Sequence, residues 1–184
     1  MRRKIAAMSE TQIAAHFLEG PDEVVRRVHA MSAAGAGLLD ILQNDHRAVM
    51  ERLDAIIAAG GGDPAAMRAN FLEMKSLLEA HSLAEERVLY AKIKQDDEAA
   101  RLILEAFADH ELVARTLENM GSLELNPKPW MTLASTLREL LQEHIETEEG
   151  QIFEAARRLF DEDELKDMGG QMQYEKTRIF AIVA

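Results

Sequence analysis

The chain contains no cysteine, which excludes disulfides, zinc thiolates, iron–sulfur ligation and redox thiols within these residues. A reducing cytoplasm is the expected setting. There are only four prolines, and aromatics make up 5% of the chain. Val, Ile and Thr occur singly rather than in alternating runs, so no segment reads as a strand. No apolar run reaches the roughly 18 residues of a membrane span, and residues 1–10 lack the apolar stretch of a signal peptide. Basic residues are scarce: 21 against 33 acids, for a formal net charge of −12. Nucleic acid is therefore not an expected partner, and neither is an anionic membrane surface.

What is present favours helix. Hydrophobic residues make up 47% and charged ones 29%, and Ala, Leu, Glu and Met, all good helix formers, are plentiful. A chain of 184 residues is long enough for one well-buried domain with a short appendage. Residues 1–34 read as a helical extension of two short segments, 11–19 and 22–31, followed by a flexible joint at 32–37. Four long amphipathic patterns follow, over 38–59, 63–95, 97–120 and 129–160. They are separated by Gly60-Gly61-Gly62, by a short acidic turn, and by the Pro-containing stretch after Gly121. The expected fold is all-α: an antiparallel up-down-up-down four-helix bundle over 35–160. In the tail, 161–184, Gly169-Gly170 is expected to break the chain before a short last helix lying on the bundle.

Two stretches of the bundle say nearly the same thing. Asp45-His46 is followed by His81-x-x-x-Glu85-Glu86, and Asp109-His110 by His144-x-x-x-Glu148-Glu149. The gaps are 35 residues from His46 to His81 and 34 from His110 to His144. A His and a Glu four apart on a helix share a face. All six residues occupy seam positions where the pattern calls for an apolar side chain: Leu42-His46-Val49, Leu78-His81-Glu85-Val88, Phe107-His110-Ala114 and Leu140-His144-Glu148-Ile152. Burying ionised carboxylates with no counter-charge is costly, whereas a pair of cations would coordinate all six groups. His46, His81, Glu85, His110, His144 and Glu148 are therefore the expected metal ligands. Nitrogen and oxygen donors without thiolate suit iron or manganese better than copper(I) or structural zinc. His16 and His29 fit no such pattern, and Met50, Met67 and Met74 read as packing residues.

This ordered set, together with His-x-x-x-Glu-Glu-x-x-Leu-Tyr at 81–90 and His-x-x-x-Glu-Glu-x-x-Ile-Phe at 144–153, resembles the hemerythrin-like family, or HHE cation-binding domains, over about residues 38–160. The resemblance implies a four-helix bundle around a non-haem di-iron centre. His46 and His81 would hold one iron, His110 and His144 the other, and Glu85 and Glu148 would bridge them, with manganese or zinc as substitutes. Asp45, Glu86, Asp109, Glu111 and Glu149 are left open between supporting the ligands and facing water. Oxygen-carrying members place a fifth histidine one turn from the third-helix ligand. Here those positions are Ala106 and Ala114, so the symmetrical four-histidine pattern is closer to bacterial iron–sulfur repair proteins and iron-sensing domains.

Three functions compete. The first is a soluble di-iron protein that binds or senses oxygen, nitric oxide or iron. The second is a catalyst of peroxide or nitric oxide reduction, or of cluster repair, for which Tyr90 is the one redox-capable phenol near the site and otherwise a packing residue. The third is a metal-stapled bundle whose residues 1–34 contact a protein partner.

Overall fold

The structure, a computed structural model, describes residues 35–60, 63–123 and 127–183. The expected N-terminal helices, His16 and His29 lie outside the described residues. Within them all regular structure is helical. No described helix is long and apolar enough to cross a membrane.

Helix α1 (Leu38–Ala58) ends where Gly60, at φ +60°, takes the left-handed conformation that closes a helix and that other residues resist. Asp63 then caps α2, accepting from Ala65 N–H at 3.0 Å, with Pro64 in the first turn. Helix α2 comprises Pro64–Glu85, a π turn Glu86–Tyr90 and a last stretch Ala91–Ile93. Helix α3 (Ala100–Ser122) starts three residues later than expected, because residues 96–99 form a turn. There the Asp96 carboxylate accepts from Ala99 N–H, and Arg158 clamps it at 2.9 Å. Helix α4 comprises Pro127–Thr147, a second π turn Glu148–Ile152 and Phe153–Leu159.

The buried residues form two apolar clusters. One gathers Leu38 to Leu42, Ala84 to Ile93, Ile103 and Ala106, and Ile152 to Ala156. The other gathers Val49 to Ile56, Met67 to Leu78, Val113 to Met120, and Trp130 to Leu141. Helices α1 and α3 begin in the first cluster and end in the second; α2 and α4 do the reverse. In all four, the candidate ligands fall at the crossing between clusters. The seams of α3 and α4 run beside the expected ones. Ala106, Val113, Ala134 and Leu141 are buried, whereas Phe107, Leu133 and Leu140 are half-buried and Ala114 is exposed. Adjacent apolar residues compete for one stripe, and spacing alone does not choose between them. Met67 and Met74 are core residues.

The tail departs most from expectation. Instead of a break at Gly169-Gly170, one continuous helix, α5 (Glu162–Val183), packs across α1 and α2. It opens with a reciprocal cap: Glu164 N–H donates to Asp161 Oδ1 and Asp161 N–H to Glu164 Oε2, both at 2.9 Å. Glycine is present for close approach rather than flexibility. A Cβ on Gly169 would lie 2.7 Å from the Ala36 carbonyl oxygen and 3.1 Å from Leu38 N. Gly169→Ala is therefore expected to lower stability by about 1–3 kcal/mol through overpacking against backbone. At Gly150, where an added Cβ meets nothing within 4 Å, alanine should be neutral or stabilising by up to about 1 kcal/mol. Thermal unfolding of the two variants checks the contrast, and equal midpoints would refute the close-packing account.

Candidate metal centre

Each half of the bundle carries the same local device. A His-x-x-x-Glu pair occupies one turn, and immediately afterwards the helix widens: Ala91 N–H reaches back to Glu86 O, and Phe153 N–H to Glu148 O. A π turn stacks residue i+5 over residue i. Tyr90 thus lies over Glu85 and Phe153 over Glu148, although a regular helix would turn both away. Tyr90 stacks on the His110 ring (5.4 Å between centroids, 23°) and Phe153 on the His46 ring (6.5 Å, 20°).

All six expected side chains meet at one level. The four histidines are 3–7% exposed, and Glu85 and Glu148 are fully buried. Each carboxylate lies between histidines of both halves. Glu85 Oε2 is 3.8 Å from His81 Nε2 and 3.4 Å from His110 Nε2. Glu148 Oε2 is 3.1 Å from His46 Nε2 and 3.6 Å from His144 Nε2. His110 Nε2 and His144 Nε2 are 3.3 Å apart. Among the described residues, two groups could hold a metal ion: His46, His81, Glu85 and Glu148, and then Glu85, His110 and His144. Glu85 belongs to both.

The Nε2 atoms face inward because every Nδ1 faces an acid. His46 Nδ1 meets Glu149 at 2.8 Å and His110 Nδ1 meets Glu86 at 2.8 Å. His81 Nδ1 meets Asp45 at 3.2 Å, and His144 Nδ1 meets Asp109 at 3.7 Å. Asp45 also receives Lys176 of α5. The acids that sequence left open are thereby placed, except that Glu111 is exposed and pairs with Arg115 at 3.8 Å. The Asp-His and Glu-Glu doublets were the available signal. A carboxylate on Nδ1–H fixes the tautomer that leaves Nε2 free as a donor. Lys176 gave no signal, since it lies outside the repeat.

Several buried atoms in this layer have no hydrogen-bond partner: His46 Nε2, both oxygens of Glu85, and Glu148 Oε2. His46 Nε2 and Glu148 Oε2 are close but lack hydrogen-bonding angles. Orphaned buried donors and acceptors are costly, and here they converge from three helices, α1, α2 and α4, on one place. The donor set fits a cation. Tyr90 satisfies the remaining oxygen, donating to Glu148 Oε1 at 3.3 Å, so it is more than a packing residue.

Protonation follows from burial. His81 is pushed down to about 4 by desolvation, against the pull of Asp45, and stays neutral. For His46 desolvation again disfavours charge, but the close carboxylates of Glu148 and Glu149 outweigh it and raise its pKa. Desolvation and the adjacent Glu148 push Glu85 well above the carboxylate range, which favours its protonated form. Desolvation likewise raises Tyr90, aided by the charges of Glu85 and Glu148. Desolvation works against charge on Asp45 too, yet His81 and Lys176 hold it low and ionised.

Beside the imidazoles lies a cavity of about 10 Å³, walled by Val49, Leu78, Val113 and Leu141, enough for one water-sized molecule. Two clefts flank it, and the repeat relates them. Between α1 and α4, a cleft of about 240 Å³ is lined by Gln43, Arg47, Met50, Gln142, Ile145 and Glu149. Between α2 and α3, a groove of about 440 Å³ has Phe107, Glu111, Ala114, Glu79, Ser82 and Glu86 at the corresponding places.

Neither a curated protein nor a solved structure matched the chain. The family model of the hemerythrin HHE cation-binding domain matches residues 37–156, a span that contains all six converging side chains and stops short of α5. With that match over most of its length, the chain belongs to the hemerythrin HHE cation-binding family.

Proposed function

We propose that His46 and His81 hold one metal ion and His110 and His144 a second, with Glu85 and Glu148 shared between them. The ions are iron in this reading, within an up-down-up-down bundle, and the protein binds or senses a small diatomic molecule such as oxygen or nitric oxide. The observation that carries the reading is the convergence of unpartnered Nε2 and carboxylate oxygens beside a cavity of only about 10 Å³. When bound, paired iron would supply Lewis acidity and one-electron redox change. The chain supplies the rest. Four Nδ1–carboxylate contacts orient the rings, and Val49, Leu78, Val113 and Leu141 limit the size and polarity of what can enter.

Protein purified aerobically from iron-supplemented culture should carry about two metal ions per chain and absorb as an oxo-bridged ferric pair, with changes on adding azide or nitric oxide. His81→Ala should lose at least one of the ions. Fewer than one ion per chain in the wild type would end this reading.

Acid should oppose binding. Glu85 and His46 both have raised pKa values, so the metal-free site keeps protons that a cation must displace. Affinity should rise with pH and fall on acidification below neutrality. Calorimetry of zinc binding at pH 7, in buffers of different ionisation enthalpy, should report release of at least one proton per chain. Release of none would contradict the raised pKa values of Glu85 and His46.

A catalytic reading is favoured by one observation, the buried Tyr90 hydroxyl on Glu148, which places a proton donor at the site. Multiple-turnover consumption of peroxide or nitric oxide, lost in Tyr90→Phe with metal content retained, would establish it, whereas stoichiometric uptake alone would leave binding as the function.

A further inference from the structure

The two halves of the centre are near copies, but among the described residues α5 sets a lysine against the acid of one half and not the other. The Lys176 ammonium and His81 Nδ1 both contact the same oxygen, Oδ2 of Asp45. Lys176 is 15% exposed and Asp45 22%, so water screens the contact only partly. The corresponding acid, Asp109, is 46% exposed and lies 3.7 Å from His144; among the described residues it pairs with no lysine or arginine. Helix α5 is held in register independently of this contact. Gly169 abuts the backbone of residues 36–38, and Glu175 pairs with Arg87 at 2.8 Å.

A carboxylate on Nδ1–H strengthens the imidazole as a ligand. A cation on that carboxylate draws electron density away and weakens the effect. We propose that Lys176 is a positioning residue that makes the two metal sites unequal, competing with His81 for Asp45 so that the ion on the His46/His81 side is held less tightly than the ion on the His110/His144 side. This rests on the ligand assignment above and adds to it a graded centre, in which a helix beyond the family match governs release of one ion.

The test is stepwise zinc binding to the full chain by competition with a chelator, giving two dissociation constants, the weaker of which disappears in His81→Ala. In Lys176→Met the weaker site should tighten about tenfold, narrowing the gap between the two, while Lys176→Arg should behave as wild type. A weaker site that loosens in Lys176→Met would mean that the lysine merely holds Asp45 in place, and would overturn the proposal; an unchanged constant would do the same. The metal-free protein gives a second measure. Released from Lys176, Asp45 becomes the stronger acceptor, and the His81 Nδ1 proton resonance should move downfield. A resonance that stays put or moves upfield counts against the proposal even if no zinc binds, whereas failure of zinc binding alone would fall on the ligand assignment.

Discussion

Two carboxylates and four imidazoles share one layer between two apolar clusters, and that juxtaposition governs the rest of the molecule. Desolvating such groups without compensation costs several kcal/mol per ion. The chain does little to relieve this internally: burial favours the protonated form of Glu85, one phenol donates to Glu148, and four buried atoms of the layer are left orphaned. A core built only for stability would fill these seam positions with leucine. The polar layer is tolerable because the clusters on either side bury Leu42, Leu53, Met74, Ile103, Leu117 and Phe153 almost completely. Those contacts fix four helices against one another and hold the unpaired groups together.

The acids facing Nδ1 form a closed circuit. Asp45 on α1 faces His81 on α2, and Glu86 on α2 faces His110 on α3. Asp109 on α3 faces His144 on α4, and Glu149 on α4 returns to His46 on α1. Each helix carries the carboxylate that orients its neighbour's imidazole. Ring orientation is therefore a property of helix packing, and a slip of one helix would disturb two imidazoles. The circuit also explains why His46, Glu85, His110 and Glu148 each have an acidic neighbour in sequence. Along a helix, adjacent residues point about 100° apart, so one of the pair points inward while the other reaches sideways to the next helix.

Much of this was legible beforehand because it follows from periodicity. The seam histidines, the Gly60 stop, the Asp63-Pro64 start and the six converging side chains needed only helical spacing and the cost of buried charge. The features that were not legible break that spacing. The π turns bring Tyr90 and Phe153 under the ligand layer, a step of five that no α-helical pattern reveals. Gly169 reads as a breaker by propensity, yet it permits α5 to lie against the start of α1, and tertiary packing overrides its weak local preference. Lys176 depends on that packing and has no counterpart in the repeat.

Symmetry in the ligands makes the asymmetry around them informative. Tyr90 corresponds to Phe153 in the repeat with one extra hydroxyl, Lys176 touches Asp45 and not Asp109, and the two flanking clefts are lined differently. Where the α1–α4 cleft has Gln43, Met50 and Ile145, the α2–α3 groove has Phe107, Ala114 and Ser82. Smaller residues at two of these positions leave the groove wider, and Phe107 makes its wall more apolar. The groove and the inner cavity share Leu78, Ser82, His110 and Val113 as walls. A neutral, sparingly hydrated molecule is stabilised along apolar walls and a charged one is not. The repeat alone would give two equivalent groups of histidines and carboxylates with equivalent surroundings. The substitutions that separate the halves lie next to the six converging side chains rather than at them, so the proton donor, the partners of the acids and the cleft walls differ between the halves while the converging histidines and carboxylates remain in place.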